Sequence, residues 1–158
     1  MAALAELSRP TVFLWPNIDA GSDHISKELR VFREKHQPNW LRFITNLPPE
    51  MYQRVLRKCR VAVGNSSSFV RDSTFSGTPV VLVGDRQEGR ETGQNAMIVP
   101  VDSQAIVDAI RVQDNHGHYA PDRLYGDGFA GDRIADILSK VHPFVQKRLD
   151  YINRPGMV

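Results

Sequence analysis

A chain of 158 residues is long enough to bury a core of its own and falls short of two ordinary domains. Its 41% apolar and 24% charged residues are those of a globular protein, which excludes a long disordered or collagen-like chain. Lys and Arg exceed Asp and Glu by only 20 to 18, without a block of like charge, so nucleic acid is not an expected partner.

The first ten residues, MAALAELSRP, carry neither a basic leader nor an apolar stretch long enough for a signal peptide. No apolar run approaches the roughly 18 residues of a membrane span, so no membrane partner and a cytoplasmic location are expected. TVFLW, 11–15, reads as a buried strand ended by Pro16, and the loop PNIDAGS follows. From Ser22, a candidate cap, Ile25, Leu29 and Phe32 recur at helical spacing until KHQPN stops the pattern. LRFI, 41–44, is a second strand. NLPPE then opens a helix with Pro48 and Pro49 near its first turn and Tyr52, Val55 and Leu56 as its apolar stripe.

CRVAVG is the third strand, and Cys59, the single cysteine, reads as a buried inert thiol. The next helix is capped by Asn65 or Ser66 and closed by Gly77, with Pro79 barring its continuation. PVVLVG is a fourth strand whose unbroken apolar run suits burial on both faces. After a polar loop at 84–95, AMIVPV is the fifth strand, and SQAIVDAIRVQ is a helix with Ser103 as its cap. A looser segment leads to a last amphipathic helix with Ile134, Ile137, Leu138 and Val141 on its apolar side. PFVQKRLDYINRPGMV ends the chain as a further short helix and tail. Strand and helix alternate, which implies right-handed crossovers and a three-layer α/β domain around a parallel sheet of about five or six strands. The expected division is one domain over 1–142 and a C-terminal helix and tail over 143–158.

In such sheets ligands collect beyond the C-terminal ends of the strands, so the loops there carry the functional reading. GNSSSFVRD, 64–72, places Ser66, Ser67 and Ser68 around the free N–H groups of a helix start, where small residues and hydroxyls suit an anion such as a diphosphate. The same serines would also serve a plain cap and close helix-to-sheet packing. Neither a Walker loop nor a GxGxxG pattern is present. Asp72 lies four residues after Ser68, on about the same helical face, where a carboxylate could take two ribose hydroxyls; a surface acid paired with Arg71 is the plainer alternative. The loop GDRQEGRETGQN, 84–95, is either a solvated connection or a clamp in which Arg86 and Arg90 meet phosphate, with Glu91 beside them. Asp127 reads as a helix cap. The histidines show no metal-ligand spacing, so neither a metal nor a cofactor is expected.

Four blocks, FLWPNIDAGS (13–22), GNSSSFVRD with GTPVV (64–81), GDRQEGRETGQN (84–95) and YGDGFAGDRI (125–134), occur here in order. Together they resemble the C-terminal half of the hydrolysing UDP-N-acetylglucosamine 2-epimerases of sialic acid biosynthesis. The resemblance implies one Rossmann-like half of a glycosyltransferase-B type fold, with UDP or UDP-GlcNAc as ligand. It implies Ser66 and Ser67 on the diphosphate, Asp72 on the ribose, Arg86 near the diphosphate or sugar, Asn17 lining the cleft, and Arg90 and Glu91 as further loop contacts.

Where this chain has Asp72, the family has Glu. Pro49 stands where the family has an aromatic near the uracil, and Phe69, bulkier than the family's residue, is expected to narrow the cleft. The family reaction eliminates UDP through a glucal intermediate and adds water to give N-acetylmannosamine. Its acids and histidine belong to segments without a counterpart here. No catalytic residue is therefore assigned, and a partner N-terminal domain of the same enzyme, with a homo-oligomer, is expected. The alternatives are the donor-binding half of a glycosyltransferase and a non-catalytic interaction domain.

Overall fold

The apolar run Val80–Val83 becomes the central strand of a parallel sheet. The computed structural model describes residues 1–16 and 22–143, apart from the side chains of 22 and 23. The chain forms two compact units, Met1–Tyr125 and Gly126–Val158.

In Met1–Tyr125 the strands are β1 (Thr11–Leu14), β2 (Leu41–Ile44), β3 (Ala62–Gly64), β4 (Val80–Val83) and β5 (Ala96–Val99). The helices are α1 (Ala2–Leu7), α2 (Ser22–His36), α3 (Pro49–Lys58), α4 (Ser67–Ser76) and α5 (Ser103–His116). Every strand pair is parallel, as the alternation of strand and helix requires. The strands form two sheets, β1 with β2 and β4 between β3 and β5, where one continuous sheet was expected. The cause lies in the signal: an apolar run identifies a buried strand and does not specify its neighbour.

Side chains alternate across β4 with the period of a strand. Val80 and Leu82 join Leu56 of α3 and Val70 of α4 in one core layer. Val81 faces the other way, onto Ala109 and Ile110 of α5, with Leu4 and Leu7 of α1 packed against that cluster. The β3–β5 sheet is thus the middle of three layers. Val80, Val81 and Leu82 are at most 1% exposed, each contributing about 1.5–3 kcal/mol of burial. Helix α1 is an addition to the sequence reading, because six residues give too short a periodic signal to register.

Two buried amides stitch this layer together. Gln113 donates to the carbonyls of Val80 (2.8 Å) and Asn95 (2.9 Å) and accepts from the Tyr119 hydroxyl (2.8 Å). Asn95 donates to Ser73 Oγ (2.9 Å) and the Thr78 carbonyl (2.7 Å). Asp114, also buried, is held by the guanidinium groups of Arg9 and Arg60. Helix α5 is capped by Asp102, whose carboxylate accepts from Ala105 N–H at 2.8 Å; Ser103, the expected cap, is the first helical residue. Helix α4 ends as expected at Gly77, with φ 66°, and a Cβ there would lie 2.0 Å from the Tyr119 carbonyl oxygen.

Helix α2 meets the β1–β2 region through Arg30, 6.0 Å from the Trp15 ring, and Arg33, 6.0 Å from the Phe43 ring; its Leu29 is buried, and its Phe32 meets Trp40 edge-on. Ile25, expected inside, is exposed. In Gly126–Val158 the described element is α6 (Ala130–Lys140). Asp127 accepts from Phe129 N–H at 3.1 Å and pairs with Arg133, so it braces the entrance to α6, while the helix-bounding residue is Phe129. Ile134, Ile137, Leu138 and Val141 are exposed. From residue 144 the expected C-terminal helix and tail lie outside the described residues. Among the described residues, no helix is long and apolar enough to cross a membrane.

Candidate functional site

Beyond the C-terminal ends of β1 and β2 lies a cleft of about 380 Å³. Leu14 and Trp15 close one side, Thr45, Asn46 and Leu47 follow from the end of β2, and Pro49, Tyr52 and Gln53 come from α3. Asp72 of α4 completes the lining. The position agrees with the rule that places ligands at strand ends in parallel α/β sheets.

Trp15 is oriented by its neighbours. Its ring meets Phe43 edge-on at 5.9 Å, and the Arg30 guanidinium lies 6.0 Å from its centroid, at the outer limit of a cation–π contact. Pro49 does line the cleft, and Tyr52, one turn along α3, sets an aromatic ring beside it. The Tyr52 hydroxyl bonds to Ser68 Oγ. Burial pushes the Tyr52 phenol above its usual range; the Ser68 bond opposes this and the Asp72 charge adds to it, so Tyr52 keeps its proton at neutral pH.

The start of α4 is built by Gly64 and the serines. Gly64 has φ 151°, and a Cβ on it would lie 3.1 Å from the Phe69 ring. Phe69 itself packs against the core cluster of Leu56, Ala62 and Val70 and is absent from the cleft lining. Ser66 is the cap, its Oγ accepting from Ser68 N–H at 3.3 Å. Ser67 Oγ accepts from Arg71 at 3.4 Å.

The loop at 84–95 is fastened to this turn by a residue the sequence did not single out. Gln87, 4% exposed, donates from Nε2 to the Asn65 carbonyl at 2.7 Å. The Tyr125 hydroxyl donates to the Glu91 carbonyl further along the loop. Arg86, Arg90 and Glu91 have exposed side chains outside the cleft lining.

Of the expected site residues, Asp72 lines the cleft, and Ser66 and Ser67 begin the helix that carries it without lining the cleft themselves. Asn17 lies outside the described residues. Trp15, Thr45, Asn46 and Tyr52 were missed. The signal for the middle pair is the loop after LRFI, a strand end like those that carry GNSSSFVRD and GDRQEGRETGQN. Tyr52 falls on the apolar stripe that the sequence predicts for α3, which its half-burial partly supports.

A family model described as UDP-N-acetylglucosamine 2-epimerase matches residues 1–139. The chain is 26% identical over 155 residues to the UDP-N-acetylglucosamine 2-epimerase of Neisseria meningitidis serogroup B, an alignment covering 94% of this chain and 40% of that protein. It is 29% identical over 104 residues to the polysialic acid biosynthesis protein P7 of Escherichia coli, covering 66% and 26%. A UDP-N,N'-diacetylbacillosamine 2-epimerase (hydrolyzing) of Legionella pneumophila is 31% identical over 130 residues, covering 82% and 34%. The chain therefore spans two fifths or less of the length of these relatives. With four ordered sequence blocks, parallel α/β architecture and a match over 1–139, this chain belongs to the UDP-N-acetylglucosamine 2-epimerase family.

Proposed function

We propose that this chain holds the UDP part of a nucleotide sugar for a hydrolysing UDP-N-acetylglucosamine 2-epimerase. The observation that carries the proposal is the cleft itself, which sets the Asp72 carboxylate among apolar and aromatic walls on the helix whose first turn is the serine cluster. A uracil and its ribose fit the chemistry of that lining: Tyr52 and Trp15 offer ring faces, Thr45 and Asn46 offer polar edges, and Asp72 accepts from ribose hydroxyls. Ser67 lies five residues before Asp72, about 7.5 Å along the helix axis, roughly the step from a ribose to its phosphates. The positive end of α4 and its serine hydroxyls then meet the diphosphate. Arg86, with Arg90 and Glu91, contacts the diphosphate or the sugar from the neighbouring loop, and Asn17, by the family resemblance, is a further contact of the nucleotide sugar.

In this reading the nucleotide-binding domain is residues 1–142. The carboxylates and histidine that eliminate UDP and admit water belong to another part of the enzyme. The chain alone binds nucleotide weakly and turns over none.

Titration calorimetry with UDP, and with uridine as the comparison, tests the reading: UDP binds at least several-fold more tightly than uridine. No UDP heat at millimolar concentration overturns it. Ser67→Asp sets a charge against the phosphates and weakens UDP about tenfold or more while leaving uridine unchanged. Equal UDP affinity in that variant removes Ser67 from the site.

A further inference from the structure

Tyr52 stands where the base cleft meets the start of α4. Its ring is part of the cleft wall and its hydroxyl bonds to Ser68 Oγ. Ser68 Oγ lies 3.3 Å from Ser66 Oγ, so a chain of hydroxyls runs from the cleft to the helix cap.

The hydroxyls of α4 behave in two ways. Ser73 and Thr74 return their protons to the carbonyls of Phe69 and Val70, one turn back, and Ser76 bonds to the Ser73 carbonyl at 3.1 Å. This is the ordinary habit of Ser and Thr within a helix. The first-turn serines do otherwise, and each has a protein group able to donate to it. Ser66 Oγ accepts the backbone N–H of Ser68, Ser67 Oγ accepts from Arg71, and Ser68 Oγ has the Tyr52 phenol. Either hydroxyl of the Tyr52–Ser68 bond can donate, and a phenol, with an ordinary pKa of about 10, is a far better donor than an aliphatic alcohol, which favours the proton running from tyrosine to serine. Each serine then keeps its own proton to give away. Diphosphate oxygens accept hydrogen bonds and donate none, so once Ser68 has given its proton to Ser66, the Ser66 and Ser67 protons beside a helix N-terminus match that group.

We propose that Tyr52 is a positioning residue that turns the Ser68 proton onto Ser66 and so frees the Ser66 proton for the phosphates, its ring serving the base and its hydroxyl the diphosphate. This rests on the nucleotide-binding reading given above. A bond donated into Ser68 also polarises the next one, strengthening what the serine gives onward. Without the phenol, the Ser68 hydroxyl loses its incoming donor, and nothing then holds its own proton toward Ser66.

The test uses the full chain, with UDP and uridine titrated against wild type, Tyr52→Phe, Ser68→Ala and the double variant. Tyr52→Phe keeps the ring, and it weakens UDP five- to tenfold while uridine stays within twofold. Ser68→Ala produces a similar selective loss, and the double variant is no weaker than Ser68→Ala, because both changes interrupt one chain. A Tyr52→Phe variant that binds UDP as wild type does overturns the proposal, as does an equal loss of UDP and uridine or fully additive losses in the double variant. Should Tyr52→Phe not fold, Ser68→Ala decides alone: unchanged UDP affinity sinks the proposal and a selective loss sustains it. Wild-type protein that binds UDP no better than uridine instead defeats the underlying reading, and the proposal with it.

Discussion

The two parallel sheets of Met1–Tyr125 draw on similar apolar residues and bury them to very different degrees. In β4, Val80, Val81 and Leu82 are at most 1% exposed, between α3 and α4 on one side and α1 and α5 on the other. In β1, Val12 is 45% exposed, and the packing identified on that sheet comes from α2, through Arg30 on Trp15 and Arg33 on Phe43. The cleft takes Tyr52 and Asp72 from the helices of the first region and Leu14, Trp15, Thr45 and Asn46 from the strand ends of the second. One wall is thus fixed by a two-sided core, whereas the other rests on a sheet with an exposed face. Local stability follows buried contact, so the β1–β2 side opens at lower free energy than the β3–β5 side. A site with one firm wall and one yielding wall can hold the polar anchors in place while the ring-lined side adapts to its ligand.

The most damaging change should fall in the firm region. Asn95 satisfies the Thr78 carbonyl and Ser73 Oγ and lies 3.3 Å from Thr74 Oγ1, all in buried surroundings. Asn95→Leu keeps the volume and strands those groups, which is expected to cost about 2–4 kcal/mol, read as a lowered urea midpoint at unchanged slope. A loss below about 1 kcal/mol would mean that this layer is not the rigid one.

Asp114 gives a smaller, pH-dependent effect in the same region. The hydrogen bond from Arg9 is the largest cause that lowers its pKa below the ordinary 3.8; burial opposes it, and the charges of Arg9 and Arg60 add to it. A lowered native pKa means that the unfolded chain takes up a proton first as pH falls. The stabilisation is complete above about pH 5, declines through the ordinary carboxylate range and is gone below the native value. Asp114→Asn is therefore expected to cost roughly 1–2 kcal/mol at pH 7 and to flatten the acid limb of the stability curve between about pH 5 and 3. Parallel acid limbs for the variant and wild type would show that Asp114 has no such linkage.

The same contrast accounts for what could be read from residues alone. Val80–Val83 declared itself by an unbroken apolar run, and Gly77 with Pro79 marked a helix end that only glycine fits. Ser66 and Asp72 were legible because cap chemistry and helical spacing are local rules. Sheet partners were not legible, since apolar runs carry no address, nor was Gln113, whose two carbonyl partners lie 33 and 18 residues away. Gln87 escaped because it read as one polar residue in a polar loop, though it is buried and ties that loop to Asn65. Tyr52 was half legible. Its place on the apolar stripe of α3 was clear, while its hydroxyl partner sits 16 residues on, across a strand and a turn.

The slightest effect is expected at Val12, and its smallness is what gives it use. Thr matches Val in shape and suits a strand, so Val12→Thr changes little beyond exchanging a methyl for a hydroxyl. At Val81, with no exposure, that hydroxyl would enter an apolar layer and lose its water. At Val12, with nearly half its surface open, the hydroxyl stays hydrated and the expected change is under about 0.5 kcal/mol. A loss of 1.5 kcal/mol or more in chemical unfolding would mean that something covers this face in solution. The β1–β2 side would then be as firmly held as the β3–β5 side, and the adaptable wall of the cleft would have to be sought elsewhere.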